Sequence, residues 1–284
     1  MLKVFGFVSR HPRLTHDEYR AAHVGYHNSF GRRLNNIRGY LLNVRSNRSM
    51  YTDFSKSASL RSISFGEPQG FDEKWDGYGQ LNFDNIQDYL GARSAALDRP
   101  GPSGLELDEL VGKVGDDFKY LYCGSPFQFC VDESIKLPVI RVERKMFKVV
   151  QFIKAPTDLS AILFRSYLTG RYCSALSMMS NLKGLVLNLR TSLDVMTGFF
   201  APDSEAFTEA GKERRNSFYR NWDGMIEYWF EHPDAFFSNR FDKRISPHLN
   251  GMENELFISS FFREVDETVA VMPNRHPAPD FYHR

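Results

Sequence analysis

Short apolar runs alternate with amphipathic segments along this chain, and they predict strands and helices in turn. The first run, 2–8, is almost continuously apolar. Thr15 is suited to cap a following helix, in which aromatic or apolar side chains recur at spacings of three and four. A second apolar run, 40–44, follows Gly39. The pattern therefore predicts a β-α-β unit at the start of the chain.

The same pattern extends the unit beyond a long polar segment, 45–74. A strand is predicted at 77–83, a helix at 84–96, a shorter helix from about Leu107, and a last strand at 126–131. Strands 1 and 2 lack the apolar–polar alternation of a half-exposed sheet, so both of their faces must be covered. Helices can cover one face, and the other needs a partner sheet.

An internal repeat supplies that partner. Residues 3–45 align without a gap with 148–190, at an offset of 145 positions, and both copies contain a Gly followed by an apolar run that ends in Asn-Val/Leu-Arg. Later, Trp75-Asp76-Gly77 aligns with Trp222-Asp223-Gly224 at an offset of 147. Within this alignment 3–8 matches 148–153 and 37–45 matches 182–190, and with the Trp-Asp-Gly match these make three matches in the same order at nearly one spacing, which indicates a duplicated module.

The predicted fold is therefore α+β, with two ferredoxin-like repeats in one chain, antiparallel sheets packed face to face and helices outside. The first repeat is assigned to 1–131, a linker to 132–144, a second and degenerate repeat to 145–272, and a tail to 273–284. The sheets would pair as an intramolecular pseudo-dimer, and a further homodimer stays open.

Composition narrows the class of protein further. Lys and Arg number 36 against 35 Asp and Glu, so the formal net charge is +1, and no strong bulk field attracts nucleic acid or membrane. Three Cys residues without a framework spacing do not suggest a secreted disulfide scaffold. The first residues lack the apolar core of a signal peptide, and no apolar run approaches the length of a membrane span. We therefore expect a cytoplasmic protein.

Several short motifs resemble the EthD family, named after an ethyl tert-butyl ether degradation cluster. They are Arg10 at the end of strand 1, the segment 15–20, His27 on the helix, Ile37-Arg38-Gly39-Tyr40, and Asp76-Gly77. The resemblance covers most of 1–130 and implies the dimeric α+β-barrel fold. It also implies acid–base chemistry on apolar small molecules in a cavity between the sheet and helix 1.

The resemblance places the family's helix histidine at His27. The family's usual Trp, four residues earlier, is His23 here. In the second repeat the equivalent positions hold Leu168 and Tyr172, and Arg10 is replaced by Ala155. If the helix histidine takes part in chemistry, only the first repeat can be active in this way.

His23 and His27 are also the main candidates from the residues alone, because they lie one helical turn apart on the apolar face. Two neighbouring imidazoles disfavour double protonation, which suits a general base. We assign catalysis to His27, with His23 and Tyr40 assisting, and expect His27 to line a cavity near Tyr40. The alternatives are hydrogen-bonded core histidines or a metal-binding His-x-x-x-His pair, which lacks an identifiable third ligand. The expected substrate-binding residues are Tyr19, Tyr26, Phe30, Tyr78, Gln80 and Asn82.

These observations predict a cofactor-independent enzyme of the lyase, isomerase, dehydratase or cyclase type, with no metal. Its substrate would be a hydrophobic, aromatic or polyketide-like, oxygenated small molecule. A non-catalytic carrier, an accessory protein of an oxygenase system and a haem-associated enzyme stay open as alternatives. The loops 46–74 and 191–221 are candidate lids or binding loops.

Overall fold

The computed structural model describes residues 1–32, 34–98, 120–141, 144–198, 200 and 202–273. In the first repeat the elements are β1 (Leu2–Val8), α1 (His16–Ala21), a π-helical segment (Ala22–His27), α2 (Asn28–Gly31), β2 (Gly39–Arg45), α3 (Ser57–Ile63), β3 (Gly77–Phe83), α4 (Ile86–Asp98) and β4 (Phe127–Leu137). In the second they are β5 (Phe147–Lys154), α5 (Ala161–Tyr167), a π-helical segment (Leu168–Tyr172), α6 (Cys173–Leu176), β6 (Gly184–Arg190), α7 (Glu209–Tyr219), β7 (Gly224–Phe230), α8 (Pro233–Arg240), α9 (Ser246–Leu256) and β8 (Ser259–Val271). Short 3₁₀ turns lie at Phe71–Lys74, Met196–Gly198 and Glu205–Phe207.

The strands form one closed antiparallel barrel in the order β1-β3-β2-β8-β5-β7-β6-β4. Each repeat contributes a four-stranded sheet, β4-β1-β3-β2 or β8-β5-β7-β6. The two sheets join where β2 pairs with β8 and where β4 pairs with β6. This confirms the predicted α+β fold of two fused ferredoxin-like units. Closure turns one face of every strand toward the barrel interior while the helix-side cores cover the other, which explains why the strands are covered on both faces.

The predicted linker, 132–144, begins too early, because β4 continues to Leu137. Residues 132–137 extend past β1 and pair with β6, and this pairing closes one seam of the barrel. Strand β8 crosses the other seam in the same way, where its last residues pair with β2. The helix that the sequence predicts from about Leu107, and all but the first residue of the tail 273–284, lie outside the described residues.

The long loops cross between the repeats. Met50 and Leu60 from the loop 46–74 belong to the hydrophobic core on the helix side of the second repeat. Val195 and Met196 from the loop 191–221 belong to the core on the helix side of the first. Each predicted lid therefore covers the partner sheet. Because each repeat's long loop packs against the other repeat, this arrangement belongs to the fold of both repeats.

The barrel interior has an aromatic part and a charged part. Phe71 and Phe218 occupy equivalent positions in the two loops, and their rings stack there with centroids 5.3 Å apart. Beyond this cluster, the fully buried carboxylate of Glu227 binds Lys148 at 2.6 Å and Lys3 at 3.2 Å. The two lysines also occupy equivalent positions and reach Glu267 and Glu133, respectively.

No helix among the described residues is long and apolar enough to cross a membrane.

Candidate functional site in the first repeat

A mostly apolar cavity of about 50 Å³ lies between the first helix and the outer face of the first repeat's sheet. This space is several times what one water molecule requires. Its walls come from β1, the π-helical segment, α2, β2, β3 and the start of β4. They comprise Gly6, Val8, His23, His27, Phe30, Gly31, Leu34, Tyr40, Gly79, Leu81, Pro126 and Gln128. The structure thus brings the three predicted catalytic residues to one space.

Three glycines line this cavity. They are Gly6, Gly31 and Gly79, and the second repeat has Gln151, Leu176 and Ile226 at the equivalent positions. A Cβ on Gly31 would lie 2.3 Å from a ring carbon of Tyr40, so the Tyr40 ring can pack against the helix only because that position is glycine. A Cβ on Gly79 would meet the same ring at 3.6 Å, an ordinary contact. Tyr40 therefore spans the cavity from helix to sheet.

The π-helical segment stacks the two imidazoles. A π-helix has more residues per turn than an α-helix, which brings positions four apart almost into line. The rings of His23 and His27 are nearly parallel, with an interplanar angle of 7° and centroids 5.4 Å apart. Tyr19 continues the column on the other side of His23, at 5.2 Å. Since the second repeat has the same π-helical segment, the backbone is shared and only the side chains differ.

Tyr122 completes the group. Its hydroxyl lies 2.6 Å from Nδ1 of His23, and its ring presents an edge to His27 with centroids 5.5 Å apart. His23 is buried, and its Nε2 has no hydrogen-bond partner among the described residues. Burial, together with the neighbouring imidazole, lowers the pKa of His23 well below 6.5. His23 is therefore the neutral member of the pair, and His27 is half-buried on the cavity wall.

The three predicted substrate-binding residues on the helix lie in different places. Phe30 lines the cavity. Tyr19 is fully buried behind His23 and does not line it, and burial raises the pKa of its phenol well above the usual value. Tyr26 is about half exposed and packs edge-on against Phe30, outside the cavity. Of these three side chains, only Phe30 can touch a ligand in this space.

The predicted binding residues on β3 face the barrel interior, as their alternation with Leu81 and Phe83 implies. Tyr78 donates to Glu227 at 2.9 Å, and Gln80 donates to Asn82 at 2.9 Å. Because successive strand residues point to opposite faces, the sheet separates all three from the His27 cavity. The structure therefore does not bring Tyr78, Gln80 and Asn82 together with the catalytic candidates.

In the second repeat the equivalent space holds a buried polar network. Tyr172, at the position of His27, donates to Glu253 at 2.5 Å. Gln151, at the position of Gly6, donates to Tyr172 at 3.0 Å, and Arg240 binds Glu253. These side chains are at most 1% exposed. The network fills the place that the first repeat leaves open.

Arg10 has a structural role. Asp76 accepts the backbone N–H of Arg10 at 2.8 Å and binds the guanidinium groups of Arg10 and Arg45. In the second repeat, Asp223 binds Arg190 in the same way. Both repeats keep the Asp–Arg pair and the backbone contact, because the N–H of Ala155 donates to Asp223 at 3.0 Å, so these contacts serve the junction between the first and third strands of each repeat. The Arg10 guanidinium has no counterpart at Ala155.

Among the described residues, no group of three or more His, Cys, Asp or Glu side chains is placed to hold a metal ion. The cavity wall has two imidazole rings but no carboxylate.

Sequence reasoning missed Tyr122, Gln128 and the three glycines. The glycines had a signal, because the repeat alignment pairs each of them with a larger residue, Gly6 and Gly31 at the offset of 145 and Gly79 at the offset of 147. Tyr122 and Gln128 had none: they lie beyond the aligned motifs, and only the folded chain brings them to the first helix.

No protein-family model matches this chain, and no curated protein matches it in sequence. Among solved structures, a candidate monooxygenase from Fusobacterium nucleatum is similar with a TM-score of 0.53 and 9% identity, over 94% of this chain and 92% of that one. An anthrone oxidase-like protein is similar with a TM-score of 0.52 and 8% identity, over 96% of each chain. These likenesses show the dimeric α+β-barrel type of fold. The narrower EthD resemblance stays a prediction.

Proposed function

We propose that the cavity of the first repeat is the active site of an enzyme that abstracts a proton from a hydrophobic, oxygenated small molecule, with His27 as the general base. The observation that carries this proposal is the difference between the repeats. The first repeat has glycines and two imidazoles where the second has larger side chains and a buried hydrogen-bonded network. The first repeat therefore leaves a space beside two imidazoles that the second repeat fills.

The geometry divides the roles. His27 takes the proton from an acidic C–H group of the substrate, and the electron pair moves into a conjugated carbonyl to form an enolate. His23 stays neutral, so it does not oppose the new charge on His27. Tyr122 holds Nδ1 of His23 at 2.6 Å and so fixes that ring against His27. The Tyr40 phenol lies on the wall and donates to the developing oxyanion.

An enolate leads to more than one product class. Reprotonation elsewhere gives isomerisation, and loss of a leaving group gives elimination, the outcomes that the sequence predicts. The names of the two similar structures refer to oxidation reactions, a monooxygenase and an anthrone oxidase-like protein. An electron-rich enolate can also be oxidised, with dioxygen as the co-reactant. Proton abstraction is the step that these routes share, so it is the step to test. The EthD resemblance is compatible with it.

The test is hydrogen–deuterium exchange into 2-indanone, whose benzylic C–H groups flank a carbonyl, followed by ¹H NMR in D₂O. We expect the protein to accelerate exchange above the buffer rate, and His27→Ala to lose about 10²–10⁴-fold of that acceleration. Gly79→Val should also abolish it, because the added methyl groups extend into the cavity beside Tyr40. Gly25→Ala is the matched control, since a Cβ there meets nothing within 4 Å.

Exchange by a folded His27→Ala protein at the wild-type rate would remove His27 as the base. Exchange that survives Gly79→Val would place the reaction outside this cavity. A wild-type protein that binds 2-indanone without accelerating exchange would favour the carrier alternative.

A further inference from the structure

We propose that Gln128 recognises a hydroxyl group of the ligand, so that the cavity selects phenols or enols over hydrocarbons of the same shape. This inference rests on the proposed function, because it concerns the same cavity. It adds the substrate class and a specificity-determining residue that the sequence analysis does not contain.

The position of the Gln128 side chain is the first observation. Gln128 lies on β4 directly opposite Gly6 of β1, and its side chain is 6% exposed. Its amide group covers Gly6: a Cβ at that glycine would lie 3.1 Å from Nε2 and 3.2 Å from Oε1. The amide can therefore lie against β1, on the cavity wall, because residue 6 has no side chain.

The second observation is that this amide is not satisfied by the protein. Oε1 of Gln128 is buried and has no hydrogen-bond partner in the part of the chain that the structure describes. A buried carbonyl oxygen without a partner is unfavourable, and native proteins rarely leave one unpaired. On the wall of a cavity, a donor from a bound molecule would supply the missing bond.

The second repeat shows the satisfied form of the same arrangement. In the first repeat the glutamine lies on β4, opposite Gly6 of β1. In the second repeat the glutamine, Gln151, lies on β5, the counterpart of β1, and Phe262 of β8 lies opposite it. Both repeats thus place one carboxamide over the equivalent point of the sheet, from neighbouring strands. The amide of Gln151 donates to Ser260 at 2.8 Å and to Tyr172 at 3.0 Å, and it accepts from Tyr228. The first repeat keeps the carboxamide but lacks these protein partners.

The ligand that fits combines an apolar body with one hydroxyl. The rest of the wall is mostly apolar, so it suits a ring or a conjugated chain. The hydroxyl donates to Oε1 of Gln128 and stays protonated, while an acidic C–H of the same molecule faces His27. A phenol or an enol that also bears an acidic C–H beside a carbonyl has this combination, whereas a hydrocarbon of equal shape leaves Oε1 unpaired.

The test compares 4-fluorophenol with 4-fluorotoluene, which differ by a hydroxyl in place of a methyl group, by ¹⁹F NMR titration of the full chain. We expect the wild-type protein to bind the phenol at least about tenfold more tightly. Gln128→Met, which keeps the length of the side chain, should bring the two affinities within about twofold. Gln80→Met is the matched control, because Gln80 faces the barrel interior and bonds Asn82, and it should retain the wild-type ratio.

Equal binding of the two probes by the wild-type protein would overturn the inference, as would a ratio that survives Gln128→Met. Neither result bears on the proposed function, which is measured independently by 2-indanone exchange in the His27→Ala protein. Loss of binding of both probes in Gln128→Met, with an unchanged melting temperature, would also contradict the inference about Gln128, since the apolar probe does not need the amide.

Discussion

Glu227 is the side chain whose removal should most affect the stability of this barrel. It is fully buried and accepts four hydrogen bonds, from Lys148 at 2.6 Å, Lys3 at 3.2 Å, Tyr78 at 2.9 Å and Asn188 at 2.9 Å. Glu227→Gln keeps the shape but turns one acceptor oxygen into an NH₂ donor that faces another donor. It also removes the charge that both buried lysines share.

Breaking a buried ion pair by removing one partner typically costs about 3–5 kcal/mol. The lysines keep Glu133 and Glu267, so we expect a loss near the lower end, about 3 kcal/mol, in the free energy of unfolding. Glu133→Gln is the control, because Glu133 is 19% exposed and its one ion pair within the described part of the chain is with Lys3, and it should lose about 1 kcal/mol.

Urea denaturation at pH 7, followed by tryptophan fluorescence, measures both variants. The charge of Glu227 also makes the free energy of unfolding depend on pH. Burial alone would raise the pKa of Glu227, but Lys148 and Lys3 outweigh it and lower this pKa well below 4.5. A depressed pKa in the folded state gives stability that is present above about 4.5 and lost as the pH falls. The gap between the wild type and Glu227→Gln should therefore narrow below that pH. A Glu227→Gln protein no less stable than Glu133→Gln, or a gap that does not change with pH, would refute this account.

Three further predictions concern the helix side of each sheet. Gly31→Ala should destabilise the protein by more than about 1 kcal/mol, because its Cβ would lie 2.3 Å from the Tyr40 ring, whereas Gly25→Ala should be neutral or slightly stabilising; thermal melting compares them. The His23 imidazole should not titrate in NMR spectra between pH 8 and pH 6, and a midpoint near 6.5 would contradict the burial argument. Because the pKa of His23 is lowered from 6.5, its contribution to stability is present above that pH and is lost as the pH falls below it. Tyr172→Phe should cost about 1–3 kcal/mol of stability, since Glu253 loses a buried donor, yet leave 2-indanone exchange at the wild-type rate; slower exchange in a folded variant would show that the second repeat takes part.

The sequence by itself determined the architecture. The constant offset between the two copies identified the repeat, and the unbroken apolar runs showed that each sheet needed cover on both faces. The helix stripe placed His23 and His27 toward the sheet, because the apolar side of a helix must be the buried one. These features are local or periodic, so a single sequence contains them.

Tertiary structure decided which side chains share a space. The alternation along β3 predicted that Tyr78 points away from Leu81 into the barrel interior, where the structure pairs it with Glu227, on the other side of the sheet from His27. Tyr122 meets His23 from 99 positions along the chain, and β4 brings Gln128 over Gly6 through a strand register that no local pattern encodes. Such long-range pairing, here of β4 with β1 inside the first sheet, forms only in the folded chain, because strand partners come from distant parts of the sequence. The positions of Tyr122 and Gln128 depend on it, whereas the spacing of the two histidines on the helix does not.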